Sequence, residues 1–158
     1  MRFSSTLIEA KLLKRYKRFL ADVVFKNGDK KTVYCPNPGS MLGLIEKNTK
    51  IWLEKSNNKN SKYNFIWRLV EGNDGKLICI DTQMANKLIY ENLLKKKIPE
   101  FKKYEEIISE PKINNGSRLD FLLKSNDKKS CFIEVKSSTL SRIPNISEFP
   151  DSVTSRGT

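Results

Sequence analysis

RLDFLLKSNDKKSCFIEVK, residues 118–136, decides how this chain is read. Two apolar runs, 117–123 and 130–136, flank a polar loop and predict a β-hairpin. With the loop centred on Asp127, the register sets Asp120 opposite Glu134 and Arg118 opposite Lys136. Directly opposed side chains lie about 5 Å apart, and like charges there are destabilising. Glu134 and Lys136 share a face about 7 Å apart, while Ile133 and Val135 turn the other way. Two carboxylates and an ammonium thus converge on one patch. A divalent cation would offset the repulsion, because Mg2+ takes oxygen ligands from one or two carboxylates with water and phosphate. Lys136 would then orient a water or stabilise charge developing on a phosphate. The residues leave an alternative open, in which Asp120 pairs with Arg118 or Lys136 and Glu134 is solvated.

Upstream, TQMANKLIYENLLKKKI (82–98) has no proline or glycine and predicts a helix over about 83–96. Its three lysines would complement the helix dipole in the last turn. Glu91 shares a face with Met84 and Leu88, so it stands at the rim of a packed stripe or faces a site. Before Asp81 the pattern has period two. FLADVVF (19–25) places Phe19, Ala21, Val23 and Phe25 on one face and Asp22 on the other. Asn27-Gly28-Asp29 is a turn signal, and KKTVYC is the return strand. After the CPNPGS loop (35–40), IWLEKS (51–56), YNFIWRLVEG (63–72) and KLICID (76–81) add three short strands. This run predicts a small, partly open barrel of the OB type. The chain is therefore read as α+β, with an OB-like β-barrel over 1–81 and a second domain over 82–158. Strands are expected at 105–109, 117–123 and 130–136, and an irregular tail after them.

The net charge is +12, and it is concentrated in residues 1–80, with 16 Lys and Arg against 7 Asp and Glu. Such an excess fits a polyanion, DNA above all; a Lys-, Asn- and Ile-rich composition is the other source of lysines. Arg15, Lys17 and Arg18 alternate with Tyr16 and Phe19, the mixture of cations and rings that strand-binding barrels use. The other reading buries the rings in the core and leaves the cations solvated. The chain has no histidine, which excludes Ser-His-Asp triads, HExxH zinc sites and imidazole-based nuclease chemistry. Cys35, Cys79 and Cys131 are read as reduced core thiols, with no CxxC spacing for a metal. No window approaches the roughly 18 uncharged apolar residues of a membrane span, and MRFSSTLIEAK lacks a signal-peptide core, so a cytoplasmic protein is expected.

Asp-x(13)-Glu-x-Lys after a helix carrying an acid resembles the PD-(D/E)xK nuclease-like core. More widely, KRFLADVVFKNG, CPNPGSMLGLI, WLEKS, LICIDTQMANKLI, SRLDFLL, FIEVKSSTL and FPDSVTSRGT follow in order and resemble the sugar fermentation stimulation (SfsA) family. That resemblance implies an N-terminal OB-like domain, a PD-(D/E)xK-like domain and DNA binding. It places the nuclease-like motif on Asp120, Glu134 and Lys136 with Glu91 as the helix acid. Metal ligands would be Glu91, Asp120 and Glu134. Candidate nucleic-acid contacts are Arg15, Tyr16, Lys17 and Arg18, with Asn37 and Ser40 from the CPNPGS loop. The family loop usually reads CPNTGSM; Pro38 here removes a hydroxyl and a backbone N–H. Members usually continue past the RGT of 156–158, so a C-terminally truncated, partial nuclease-like domain is expected. The leading reading is a DNA-binding protein that regulates sugar metabolism, as a monomer or homo-oligomer. The alternative is a Mg2+-dependent phosphodiesterase built on Asp120, Glu134 and Lys136, and whether the chain is an enzyme stays open.

Overall fold

The computed structural model describes residues 2–113, 116–143 and 145–149. Contacts divide the chain into two units, Gln83–Lys136 and a larger one that joins Arg2–Thr82 to the segment beginning at Ser137.

The larger unit is a barrel. Strands β1 (Ile8–Tyr16), β2 (Leu20–Phe25), β3 (Lys30–Tyr34), β4 (Lys50–Lys55), β5 (Phe65–Glu71) and β6 (Leu77–Cys79) form one sheet in the order β3-β2-β1-β4-β5-β6. A parallel contact, Tyr34 beside Ile66, closes β3 onto β5 and makes the five-stranded OB arrangement, with β6 added outside. The turn residues explain the meander. Lys26-Asn27-Gly28 and Asn73-Asp74-Gly75 are three-residue loops whose glycines take φ of 89° and 75°, a left-handed value that closes such hairpins without a Cβ penalty. Alternate residues point inward, and Leu12, Val23, Val33, Ile51, Leu53, Trp67, Val70 and Ile80 are fully buried.

A β-bulge opposite Trp52 and Leu53 makes Arg68 the extra residue of β5, so Trp67 and Val70 are both buried although three apart, while on β4 Glu54 is buried next to Leu53. The buried Glu54 carboxylate is met by Arg68, whose Nε lies 2.7 Å from Oε2, and Arg68 Nη1 also pairs with buried Asp81. Ser4 gives its amide at 2.5 Å and its hydroxyl at 2.8 Å to the other Glu54 oxygen. Burial pushes the Glu54 carboxyl up, but the Ser4 and Arg68 bonds outweigh it and hold it below the ordinary range. The described part of the segment after Ser137 is irregular apart from a Leu140–Glu148 bridge.

In the smaller unit, helix α1 (Thr82–Leu94) packs on an antiparallel sheet β7-β8-β9, formed by Glu106–Ser109, Phe121–Lys124 and Ser130–Ile133. Leu93, Phe121 and Leu123 are the buried centre, with Ile89, Cys131, Ile133 and Val135 packed around them. Tyr90 lies flat on Phe121, ring centroids 5.9 Å apart at 5°. The packing face is thus Asn86, Ile89, Tyr90 and Leu93. At about 100° per residue it lies on the opposite side from the expected stripe of Met84, Leu88 and Glu91, and Leu88 is 47% exposed. The stripe was misassigned because a polar residue, Asn86, stands in the true packing face. The lysines also fall outside the last turn. The helix ends at Leu94 in a Schellman motif, with Lys97 N–H donating to Asn92 O, Lys96 N–H to Leu93 O, and Lys96 left-handed at φ 50°.

The β8–β9 register is the expected one. Phe121 faces Ile133 and Lys124 faces Ser130 about a loop centred on Asp127. The ladder ends one residue short of the acids, because the chain bends at Asp120. Arg118 therefore does not face Lys136: it bridges to Lys112 and pairs with Glu110 at 3.1 Å. Cys35 is buried as expected, whereas Cys79 and Cys131 are only half-buried; all three are thiols. Among the described residues no helix is long and apolar enough to cross a membrane.

Candidate functional site

The outer face of β1–β2–β3 takes its character from a second irregularity. Leu12 pairs with Val23 on the core side, but a bulge at Leu13 shifts the phase, so Lys14 pairs with Asp22 and Tyr16 with Leu20 on the outside. On the far side of β2, Leu20 faces Tyr34 and Asp22 faces Thr32. Two cross-strand rows result: Tyr16–Leu20–Tyr34, and below it Lys14–Asp22–Thr32. Asp22 accepts bonds from Thr32 Oγ1 (2.7 Å) and Tyr16 Oη (3.0 Å) and pairs with Lys14 Nζ at 3.4 Å. The Thr32 bond, then those of Tyr16 and Lys14, holds the Asp22 carboxyl below its usual range, so it is ionised at neutral pH. Lys14 Nζ also sits 5.2 Å from the Tyr16 ring centroid.

At the top of this face the β1–β2 connection is only Lys17-Arg18-Phe19. Lys17 and Arg18 both have positive φ, 48° and 59°, and both side chains are exposed. A two-residue left-handed run without glycine or asparagine is costly backbone. It throws Phe19 out of the core-facing series that its alternation with Ala21 and Val23 implied. Phe19 is 41% exposed, and its ring stacks on Tyr34 at 6.3 Å and 20°. Arg15 comes after the bulge and turns the other way. Its Nη2 donates to Asn37 O at 2.8 Å and its Nη1 reaches Ser40 O at 3.5 Å. Asn37 is buried; its amide donates to Ile80 O at 2.8 Å while its Oδ1 accepts Gly39 N–H. Arg15, Asn37 and Ser40 are thus brought together as the fastening of the 35–40 loop, while Tyr16, Lys17 and Arg18 stand on the open face.

The acids of the smaller unit occupy the end of the β8–β9 hairpin. Asp120 turns at the bend, where Oδ1 accepts Asn86 Nδ2 and Oδ2 accepts the Val135 N–H, each at 2.6 Å. Asp120 is thereby fixed against the residue that follows Glu134. Glu134 Oε1 pairs with Lys136 Nζ at 2.6 Å, and both side chains are about half exposed. Glu91 pairs with Lys95 one helical turn on, a contact that lowers its carboxyl pKa. Among the described residues no three His, Cys, Asp or Glu side chains are grouped closely enough to hold a metal ion.

The barrel followed by a helix-and-sheet unit matches known proteins along its length. Residues 13–80 match the SfsA N-terminal OB domain, and residues 83–158 match the sugar fermentation stimulation protein RE domain. The chain belongs to the sugar fermentation stimulation protein family. A sugar fermentation stimulation protein homolog of Ruegeria sp. (strain TM1040) is 47% identical over the whole chain, which spans 68% of that protein. One of Haemophilus influenzae (strain PittGG) is 45% identical over 96% of the chain and 63% of its own length. The structure of Pyrococcus furiosus SfsA in complex with Ca2+ superimposes with a TM-score of 0.83 at 25% identity, covering 99% of this chain and 64% of that one.

Sequence reasoning missed Tyr34 and Leu20 on the barrel face and Asn86 beside Asp120. Tyr34 was visible in KKTVYC, where Lys30, Thr32 and Tyr34 alternate with Val33 and Cys35. The phase shift at Leu13 carries no composition signal, so the outward turn of Tyr16 and inward turn of Arg15 were not readable. Asn86 falls in register with Ile89, Tyr90 and Leu93, which is the mark of a polar group in a packing face.

Proposed function

We propose that this SfsA-family chain binds DNA through the outer face of β1–β3 and the Lys17-Arg18-Phe19 tip. The observation that carries the proposal is a built aromatic row, Tyr16–Leu20–Tyr34, with Lys14, Lys17 and Arg18 at its edge. Barrels of this type use that strand face and the β1–β2 loop for oligonucleotides, and rings among cations are what a strand requires. The excess of cations in residues 1–80 supports the same partner. Regulation of sugar metabolism would follow from binding near target genes. The test is fluorescence anisotropy of labelled DNA titrated with the whole chain at low and moderate salt. Binding should be strong at low salt and weaken steeply as salt rises; a flat response at low salt would remove the proposal.

A second reading, divalent-cation-dependent phosphodiester cleavage, draws on two observations: the Pyrococcus relative was solved with Ca2+, and Asp120 is bonded to the amide next to Glu134. The donor chemistry fits a hard cation, since a carboxylate that accepts one hydrogen bond per oxygen keeps lone pairs for an ion. Asp120 and Glu134 would hold it, and Mg2+ is one candidate ion. Such an ion would polarise a phosphate and lower the pKa of a bound water. Asn86 and the Val135 amide fix the Asp120 carboxylate, and Lys136 supplies positive charge beside Glu134. Glu134→Gln should then weaken Mn2+ binding measured by calorimetry at least tenfold while the melting temperature holds. Equal Mn2+ affinity in both proteins would rule the site out.

A further inference from the structure

We infer that the barrel face selects unpaired DNA, with Phe19 as the platform on which one base stacks. The inference rests on the DNA-binding reading and adds the form of DNA and the residue that reads it. Phe19 is a large apolar ring left 41% exposed on a hairpin tip, yet it is not loosely held. Its carbonyl accepts the Cys35 N–H at 2.8 Å, and its own N–H reaches Lys17 O at 2.6 Å. Two consecutive left-handed residues, Lys17 and Arg18, fix its direction. Backbone strain of this kind persists only where the surroundings impose it, and it collects at binding sites. Behind the ring stands Tyr34, nearly parallel at 20°, so the outer face of Phe19 is a preformed flat step. A base that lands there orders no side chain that was free before, which limits the entropy cost of binding.

The rest of the face favours a splayed strand over a duplex. Tyr16, Leu20 and Tyr34 stand on three adjacent strands, and neighbouring strands are about 4.8 Å apart. Bases can lie on these steps only if their faces are available, and a duplex hides those faces in its own stack. The centre of the face carries ionised Asp22, held by Thr32, Tyr16 and Lys14. A phosphate laid across the middle would meet that carboxylate, so the backbone is directed to the rim, past Lys17 and Arg18, while bases cover the rings. Stacking on aromatic side chains is tolerant of sequence, since every base has a π-face.

The experiment uses fluorescein-labelled oligothymidine and a duplex of equal length, titrated with the whole chain at one moderate salt concentration. Single-stranded DNA should bind at least tenfold tighter. Phe19→Ala should lose roughly 5- to 150-fold on the single strand, a larger loss than on the duplex. Phe19→Leu, apolar without a ring, should behave like the alanine variant, and Phe19→Tyr should keep the affinity. Thermal melts of all three should match the parent, because Phe19 lies outside the barrel core. Equal affinity for both DNA forms, a duplex preference, or an unchanged Phe19→Ala would overturn this inference while leaving DNA binding in place. Absence of binding to either DNA would instead overturn the reading on which it rests.

Discussion

Replacing Arg68 by methionine removes a charge while keeping most of the side-chain volume, and it isolates the buried ion triad of the barrel. Glu54 and Asp81 are 5% and 2% exposed at the side chain, so neither can recover hydration when the guanidinium is lost. Removing one partner of a buried ion pair costs about 3–5 kcal/mol, far more than an exposed pair contributes. Glu54 keeps the Ser4 hydroxyl and amide, which places the expected loss nearer the lower end. A small domain has about 5–15 kcal/mol in total, so Arg68→Met should remove a large share of its stability. Urea unfolding followed by Trp fluorescence measures it, since Trp67 is fully buried in the barrel. The sign with pH is also fixed. In the parent, the Glu54 carboxyl is held below its ordinary value, so its contribution is present above that value and fades as pH falls through the folded pKa. In the variant the Glu54 carboxyl loses the Arg68 bond that lowers it and becomes easier to protonate, so acid relieves its burial. The gap between parent and variant should narrow from pH 7 to pH 4. A loss below about 1 kcal/mol at pH 7, or one that stays constant down to pH 4, would refute the triad as a stabilising element.

Lys96→Gly should stabilise the end of α1 by about 0.5–1 kcal/mol, because glycine takes the left-handed position of a Schellman motif without a Cβ clash; urea unfolding reads this, and a destabilised variant would contradict it. Glu148, lowered to about 2 by Arg142, should remain ionised at pH 4 in an NMR titration. Its pairing with Arg142 is thus present above the ordinary carboxyl range and lost only as pH falls toward the folded value. Arg142→Ala should return Glu148 to the ordinary range.

The barrel was legible because its strands alternate cleanly and its turns carry glycine at the positions that need it, as at Gly28 and Gly75. The β8–β9 register was legible for the same reason: a symmetric loop about Asp127 leaves one pairing that keeps Phe121 and Leu123 inward. What periodicity could not show were its own interruptions. The bulge at Leu13 shifts the phase of β1 and the one at Arg68 shifts that of β5, and they decide that Tyr16 faces outward and that Arg68 stands beside Glu54. The bend at Asp120 has the same effect on the hairpin, ending the ladder before the two acids meet across it. Glu91 was misplaced for a different cause. A helix face read from apolar residues alone passes over Asn86, whose amide is satisfied by the Asp120 carboxylate inside the packed side.

The most direct measurement is the salt dependence of DNA affinity for the parent chain and for the Lys17→Glu/Arg18→Glu double variant. Both residues sit on the exposed tip, away from the barrel core, so the variant should melt at the parent temperature. Each phosphate contact contributes about −0.7 on single strands and about −0.9 on duplex to the slope of log K against log salt. Loss of two contacts should flatten the slope by about 1.4 on single strands and weaken binding at low salt. A parent that fails to bind at low salt, or a variant whose slope equals the parent's, would contradict DNA binding by this face.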